Sequence, residues 1–366
     1  MSIIKFKLFF VFFSFCFLSK AQNTFKIIAH VEGVEQGSVQ CVILPSSGYM
    51  GLMKDGKIKL VNGIFQFELQ MTKTKEPLPI YFFIYNGEKP FMKTDVALFS
   101  PRNQKVVIKK DGSIVIEDNL MKHQKYAYDK YFRDYHSSYA HFTEKGRKLV
   151  KPDKNQVEEM IDLRDKLALK KDSLLFDFSK TNKNSYFLLN DLSQNIYTYG
   201  YKDIYEKTFD NLSPVIKKSQ WAKNVREELM VSKNFQYGKV FTVYKIGNDD
   251  LRKWYGKKLT LVDFWFSYCS PCIAEMSFYS DVYTRYKEAG FEIISISTDR
   301  SQDVVNWKKQ IDKNNMLWHQ VLDENGAVSK KFNITKFPTN FLLDENGKIL
   351  KRDVSKIELL SILSKL

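Results

Sequence analysis

Cys269 and Cys272, with Ser270 and Pro271 between them, are the residues in this chain best placed to do chemistry. Their spacing allows part of a metal clip, a structural bridge, or a dithiol that exchanges disulfides. Exchange needs a thiolate, which attacks a disulfide sulfur to form a mixed disulfide. The neighbouring residues bear on the choice. Residues 259–266, Leu-Thr-Leu-Val-Asp-Phe-Trp-Phe, are short, apolar and aromatic, as a central parallel strand covered on both faces should be. After the pair, Ile273, Met276, Tyr279, Tyr283 and Tyr286 recur at steps of three and four, one face of a helix that Gly290 stops. A strand that runs into a helix N-terminus bearing this pair is a redox arrangement, because unpaired N–H groups and the helix dipole favour a thiolate there.

Two acids accompany the pair. Asp263 interrupts the apolar strand, and a buried carboxylate without a partner is expensive, which marks it as a candidate. Glu275 follows Cys272 by three residues on the same helical face, where the dipole would favour an acid in any case. A zinc site needs about four ligands. No second Cys-x-x-Cys and no His pair at finger spacing occurs, and His136 and His141 stand five apart, so neither a metal nor a cofactor is expected.

A chain of 366 residues is too long for one ordinary core, so several domains are expected. Its formal charge of +15 would suit nucleic acid in a cytosolic protein. The N-terminus points elsewhere: two lysines within residues 1–7, an apolar run over 8–18, and Ser19-Lys20-Ala21 read as a secretory signal cut after Ala21. Nucleic acid is therefore not an expected partner. The lysine excess is read as a solvated surface. Cys41 alternates in phase with Val39 and Ile43 and is expected to face a core as an inert thiol.

Residues 22–118 read as strands: Phe25–Val31, Ser38–Leu44, Lys57–Leu69, Leu78–Tyr85, Asp95–Phe99 and Lys105–Ile116, the last broken at Asp111-Gly112. An antiparallel sandwich or barrel is expected. Residues 119–235 read as an α-helical connector whose aromatic stripes are packing, with a helix through Gln156–Phe178. Residues 236–366 alternate strand and helix, with Ser301 expected to cap a helix through Ile311 and Asn346-Gly347 turning a final hairpin.

In this order and spacing, Val262-Asp263-Phe264-Trp265, Cys269-Ser270-Pro271-Cys272, Glu275 and Phe337-Pro338-Thr339 resemble the thioredoxin superfamily, specifically the secreted TlpA/ResA-like thiol-disulfide oxidoreductases. The resemblance covers residues 236–366 and implies a C-terminal α/β thioredoxin fold, with an inserted helix and strand between Asp299 and Phe332. It implies that Cys269 attacks and Cys272 resolves, so that the pair is a redox-active disulfide, and that Asp263 accepts the resolving proton. It further implies that Glu275 tunes acidity and partner choice, and that Pro338 is cis and grips an extended substrate with Phe337 beside it. Trp265 and Tyr268 are expected to form an apolar rim. One position departs from the pattern: the lysine expected beside the acid is Ser295.

The resemblance implies protein-disulfide reduction, which the secretory signal would place in the periplasm or cell envelope. The resemblance further implies disulfide-bearing proteins and a membrane electron donor of the DsbD or CcdA kind as partners; a homodimer stays open. A thiol peroxidase is the rival enzyme, but it needs Pro-x-x-x-Thr-x-x-Cys, whereas Cys269 has Val262 and Phe266 at those positions and Cys272 has Trp265 and Cys269. The rival of another class is an envelope binding or scaffold protein with a secondary redox domain.

Overall fold

The computed structural model describes residues 24–44, 47, 56–70, 76–116, 119–149, 154–334 and 336–366. The expected secretory signal lies outside them. The chain divides into two units, residues 1–43 with 51–118 and residues 44–50 with 119–366. Among the described residues no helix is long and apolar enough to cross a membrane.

Alternating apolar and polar residues build the first unit. Its strands are β1 (Thr24–Val31), β2 (Gln36–Ile43), β3 (Ile58–Val61), β4 (Ile64–Gln70), β5 (Leu78–Tyr85), β6 (Pro90–Lys93), β7 (Ala97–Phe99), β8 (Gln104–Ile108) and β9 (Ile114–Ile116). They join in one sheet, in the order β6-β5-β2-β3-β4-β1-β8-β9, with β7 also on β5. β4 shows the pattern: Phe65, Phe67 and Leu69 are buried while the residues between them are exposed. β4 and β5 lie three strand spacings apart, about 14 Å across a flat sheet. Yet the Phe65 and Phe82 rings meet at 5.3 Å, so the sheet curls and its inner face packs on itself.

Two expectations need correction here. Residues 57–69 are not one strand: Asn62 and Gly63 have φ of 51° and 71° and make a two-residue hairpin loop, the geometry that Asn-Gly favours. Nor is the sheet wholly antiparallel, because β1 and β8 pair in parallel, the long chain between them serving as the crossover. Cys41 is buried and free, as its phase with Val39 and Ile43 requires, and burial pushes its thiol pKa well up.

The second unit begins with helices α1 (Asn119–Lys148), α2 (Lys154–Thr181), α3 (Tyr186–Tyr199), α4 (Asp203–Asn211), α5 (Pro214–Lys217) and α6 (Gln220–Ser232). The aromatic stripe is packing: Tyr128 stacks on Phe132 at 4.3 Å, and Phe178 meets both rings. Gly200 ends α3 at φ 73°, ψ −151°, a region open almost only to glycine, and a Cβ there would stand 2.9 Å from Nη1 of Arg352. Gly200→Ala is therefore expected to cost about 1–3 kcal/mol in a urea unfolding titration; an unchanged midpoint would contradict this reading.

A short hairpin follows, β10 (Lys245–Ile246) with β11 (Asp249–Asp250), and then β12 (Leu259–Trp265), α7 (Ser270–Tyr286), β13 (Phe291–Ser297), α8 (Val304–Lys313), β14 (His319–Leu322), α9 (Ala327–Lys331), β15 (Thr339–Asp344), β16 (Ile349–Arg352) and α10 (Lys356–Leu363). The five-stranded sheet runs β14-β13-β12-β15-β16, with β12, β13 and β14 parallel and β15 and β16 antiparallel. Every residue of central β12 is buried, since both faces are covered. Leu259, Leu261 and Trp265 pack with Met276 and Tyr279 of α7 and Leu359 of α10. Val262 and Phe264 pack on the opposite face with Phe235, Phe241 and Phe341. Ser301 does not cap α8: it opens a 3-10 turn over Ser301–Asp303, and its Oγ accepts from Asn325 Nδ2 at 3.1 Å.

Candidate active site

The chain leaves β12 at Trp265, turns, and enters α7 with Cys269 as its N-cap. The turn is closed by Cys269 N–H donating to the Phe266 carbonyl at 3.0 Å. Extended φ and ψ of −80° and 93° at Cys269 let its Sγ accept the Cys272 backbone N–H at 3.2 Å, the capping bond that Ser or Asp makes elsewhere. Pro271 sits in the first turn, where a missing N–H breaks no helical bond. Cys269 and Cys272 are joined in a disulfide with Cα atoms 5.2 Å apart. Cys269 is only 4% exposed and Cys272 is fully buried. The openness at this corner comes from Ser270 and Pro271, both exposed, and from Tyr268 at 61%.

Asp263 lies on β12 in phase with Leu261 and Trp265, so its side chain belongs to the face that α7 covers. It is fully buried, and neither carboxylate oxygen has a hydrogen-bond partner. Burial pushes its pKa well above the ordinary carboxylate range, and the charges of Glu275 and Asp353 push the same way. Across the parallel pair stands Ser295, whose Oγ accepts Trp318 Nε1 at 2.8 Å. Across the antiparallel pair stands Asn340.

Glu275, half-buried on α7, accepts the Tyr279 hydroxyl at 3.0 Å. Asn340 donates Nδ2 to that same hydroxyl at 3.4 Å and is itself held by the Val354 backbone, through bonds of 2.8 and 3.2 Å. Burial, with Asp263 and Glu275 nearby, raises the Tyr279 pKa well above the phenol range, so it stays a donor. Tyr279 was legible in the sequence only as one stripe residue of a helix face; its hydroxyl sits among the acids because α7 crosses the sheet over Asp263 and Asn340.

The Phe337–Pro338 peptide bond is cis. Phe337 is half-buried, and its ring meets Phe266 edge-on at 5.4 Å. Trp265 departs from the expected rim: at 0% exposure it is a core residue, because β12 is the central strand and both of its faces are covered. Tyr268, in contrast, is exposed. Among the described residues, no group of three or more His, Cys, Asp or Glu is placed to hold a metal.

The sequence reading passed over a cluster in front of the dithiol. Ser267, Ser297 and Asp299 are buried, both serine hydroxyls donate to the Asp299 carboxylate, and Asn306 of α8 donates to the Ser267 hydroxyl. The available signal was an acid closing an apolar strand, at the carboxyl end where α/β sheets place their sites.

Comparison with known proteins bears on residues around this corner. Residues 256–349 match the family model Thioredoxin_8, described as thioredoxin-like. Thiol-disulfide oxidoreductase ResA of Bacillus thuringiensis subsp. konkukian (strain 97-27) is 34% identical over 106 residues, 26% of this chain and 60% of that protein. The ResA of Oceanobacillus iheyensis is 36% identical over 92 residues, 25% of this chain and 47% of that protein. The chain thus spans about half to 60% of the length of these curated relatives. Among solved structures, the thioredoxin domain of a thiol-disulfide oxidoreductase from Bacteroides vulgatus is similar at 33% identity and a TM-score of 0.32, covering 36% of this chain and 96% of that one.

Proposed function

From the premise that residues 256–349 form a thioredoxin-like domain, we propose that the chain is a thiol-disulfide oxidoreductase acting on protein disulfides through Cys269 and Cys272. The observation that carries this is the Cys269–Cys272 disulfide seated at the N-terminus of α7, with Cys269 Sγ already accepting a helical N–H. In the reduced form, the Cys269 thiolate attacks one sulfur of a substrate disulfide. A protein–substrate S–S bond forms, and the other substrate sulfur leaves as a thiolate that takes up a proton. Asp263 in its ionised form then takes up the Cys272 proton, and the Cys272 thiolate attacks Cys269 Sγ. The second substrate thiol is released and the protein disulfide closes. Two electrons pass to the substrate, so a donor must restore the dithiol.

The working direction is reduction in the cell envelope, with delivery by the N-terminal signal and recharging by a membrane donor of the DsbD or CcdA kind. Glu275 tunes the site, while Pro338 and Phe337 receive the substrate chain beside Tyr268. The curled N-terminal sheet, a sandwich or barrel, would recruit or assemble. A redox titration of the dithiol tests the direction: the expected midpoint is more negative than about −200 mV, towards the thioredoxin value of about −270 mV, whereas one near the DsbA value of about −120 mV would make the protein an oxidant.

A further inference from the structure

The turn that presents Cys269 is held by a carboxylate that plays no part in the steps above. Asp299 follows β13 and is 3% exposed. Its oxygens accept the Ser267 backbone N–H at 2.9 and 3.2 Å, the Ser267 hydroxyl at 2.7 Å and the Ser297 hydroxyl at 2.6 Å. Ser267 is 1% exposed and is the first of the two residues inside the Phe266–Cys269 turn. From α8, Asn306 Nδ2 donates to the same Ser267 hydroxyl at 2.8 Å and reaches its carbonyl at 3.4 Å. Two elements remote in sequence therefore converge on one residue, two positions before the first cysteine.

We propose that Asp299 is a positioning residue for the dithiol: through Ser267 it fixes the turn that seats Cys269 Sγ at the N-terminus of α7, and Asn306 ties α8 to the same turn. This rests on the reading of Cys269 as the attacking thiol. Three donors converge on one group, and an ionised carboxylate accepts all of them while offering none of its own. An amide in its place turns a donor toward Ser267 or Ser297, and a buried N–H or hydroxyl left unpaired is relieved by letting the turn open. Cys269 would then leave the cap, losing the Cys272 N–H and the helix terminus that favour its thiolate. Removing the Asp299 charge pulls the other way, but that charge is already answered by its three donors.

The test is Asp299→Asn in the reduced full-length protein, reading Cys269 alkylation by iodoacetamide against pH, the rate of insulin reduction, and the melting temperature. Asp323→Asn is the matched control. Asp323 is 2% exposed and likewise accepts two backbone N–H groups and a hydroxyl, at 2.9, 2.7 and 2.6 Å from Val328, Ser329 and Ser329 Oγ, but it holds the start of α9. Both variants are expected to melt lower. Only Asp299→Asn is expected to raise the alkylation midpoint, by about half a pH unit or more, and to slow exchange about 10-fold. If it melts lower while its midpoint and exchange rate match those of Asp323→Asn and the unaltered protein, Asp299 merely supports the fold and the proposal is overturned. Should Asp299→Asn fail to fold, Asn306→Ala removes one donor to Ser267 without disturbing a buried charge, and must shift the midpoint in the same direction. If the unaltered protein reduces no disulfide, the proposed function fails separately, because the alkylation midpoint still reports on the turn.

Discussion

Cys272→Ala is expected to hold the protein in covalent adducts with its substrates, seen on non-reducing gels and cleared by dithiothreitol. Under the proposed mechanism the mixed disulfide forms through Cys269, and the sulfur that would resolve it belongs to Cys272, which is fully buried one turn into α7. Without that sulfur the adduct waits for an external thiol. Cys269→Ser should give no adducts and should slow insulin reduction on the order of 10³-fold or more, as loss of a nucleophile does in other covalent mechanisms. Cys41 should contribute nothing, because it is 8% exposed and its thiol is pushed toward the protonated form by burial. Full reductase activity in Cys269→Ser would sink the proposed function.

Asp263→Ala should move stability and rate in opposite directions. The carboxyl is fully buried without a hydrogen-bond partner, so its removal relieves a desolvation penalty, and the variant is expected to be more stable at pH 7 by about 1–3 kcal/mol. The pH dependence carries a definite sign. An unfolded Asp titrates near 3.9, whereas burial raises the folded pKa well above the ordinary value. Between those two points the folded protein keeps a proton that the unfolded chain has released. Stability is therefore level below about pH 4, and falls as pH rises toward the folded pKa. Asp263→Ala should flatten that slope in urea titrations from pH 4 to 8. Exchange, in contrast, should slow by about 10²-fold if Asp263 is the proton acceptor of Cys272 as proposed. A variant that is less stable at pH 7 and keeps the slope would show that Asp263 is not an uncompensated acid, and an unchanged exchange rate would show that it is not the acceptor.

Much of this site was legible before the fold because it is local. The cysteine spacing, the apolar run of residues 259–266 and the stripe from Ile273 to Tyr286 all express backbone periodicity, and β12 and α7 follow them closely. Trp265 belongs to the same apolar run, and a strand covered on both faces places it in the core rather than on a rim. Asn62-Gly63 carried the same hairpin signal that was read at Asn346-Gly347, yet the run of strand formers around it concealed the turn.

By itself, the sequence determined the spacing of the Cys269–Cys272 pair, the strand and helix that hold it, and the buried acid nearby. Those follow from side-chain chemistry and from periods of two and 3.6 residues. Only the tertiary structure decided who meets whom across the sheet. Asp299 reaches Ser267 from 32 positions away because the parallel pairing of β12 and β13 brings their carboxyl ends together. Asn340 meets the Tyr279 hydroxyl because β15 runs antiparallel beside β12 under α7. Periodicity says which face a side chain occupies; strand order and register, set by burial over the whole sheet, say what stands opposite it.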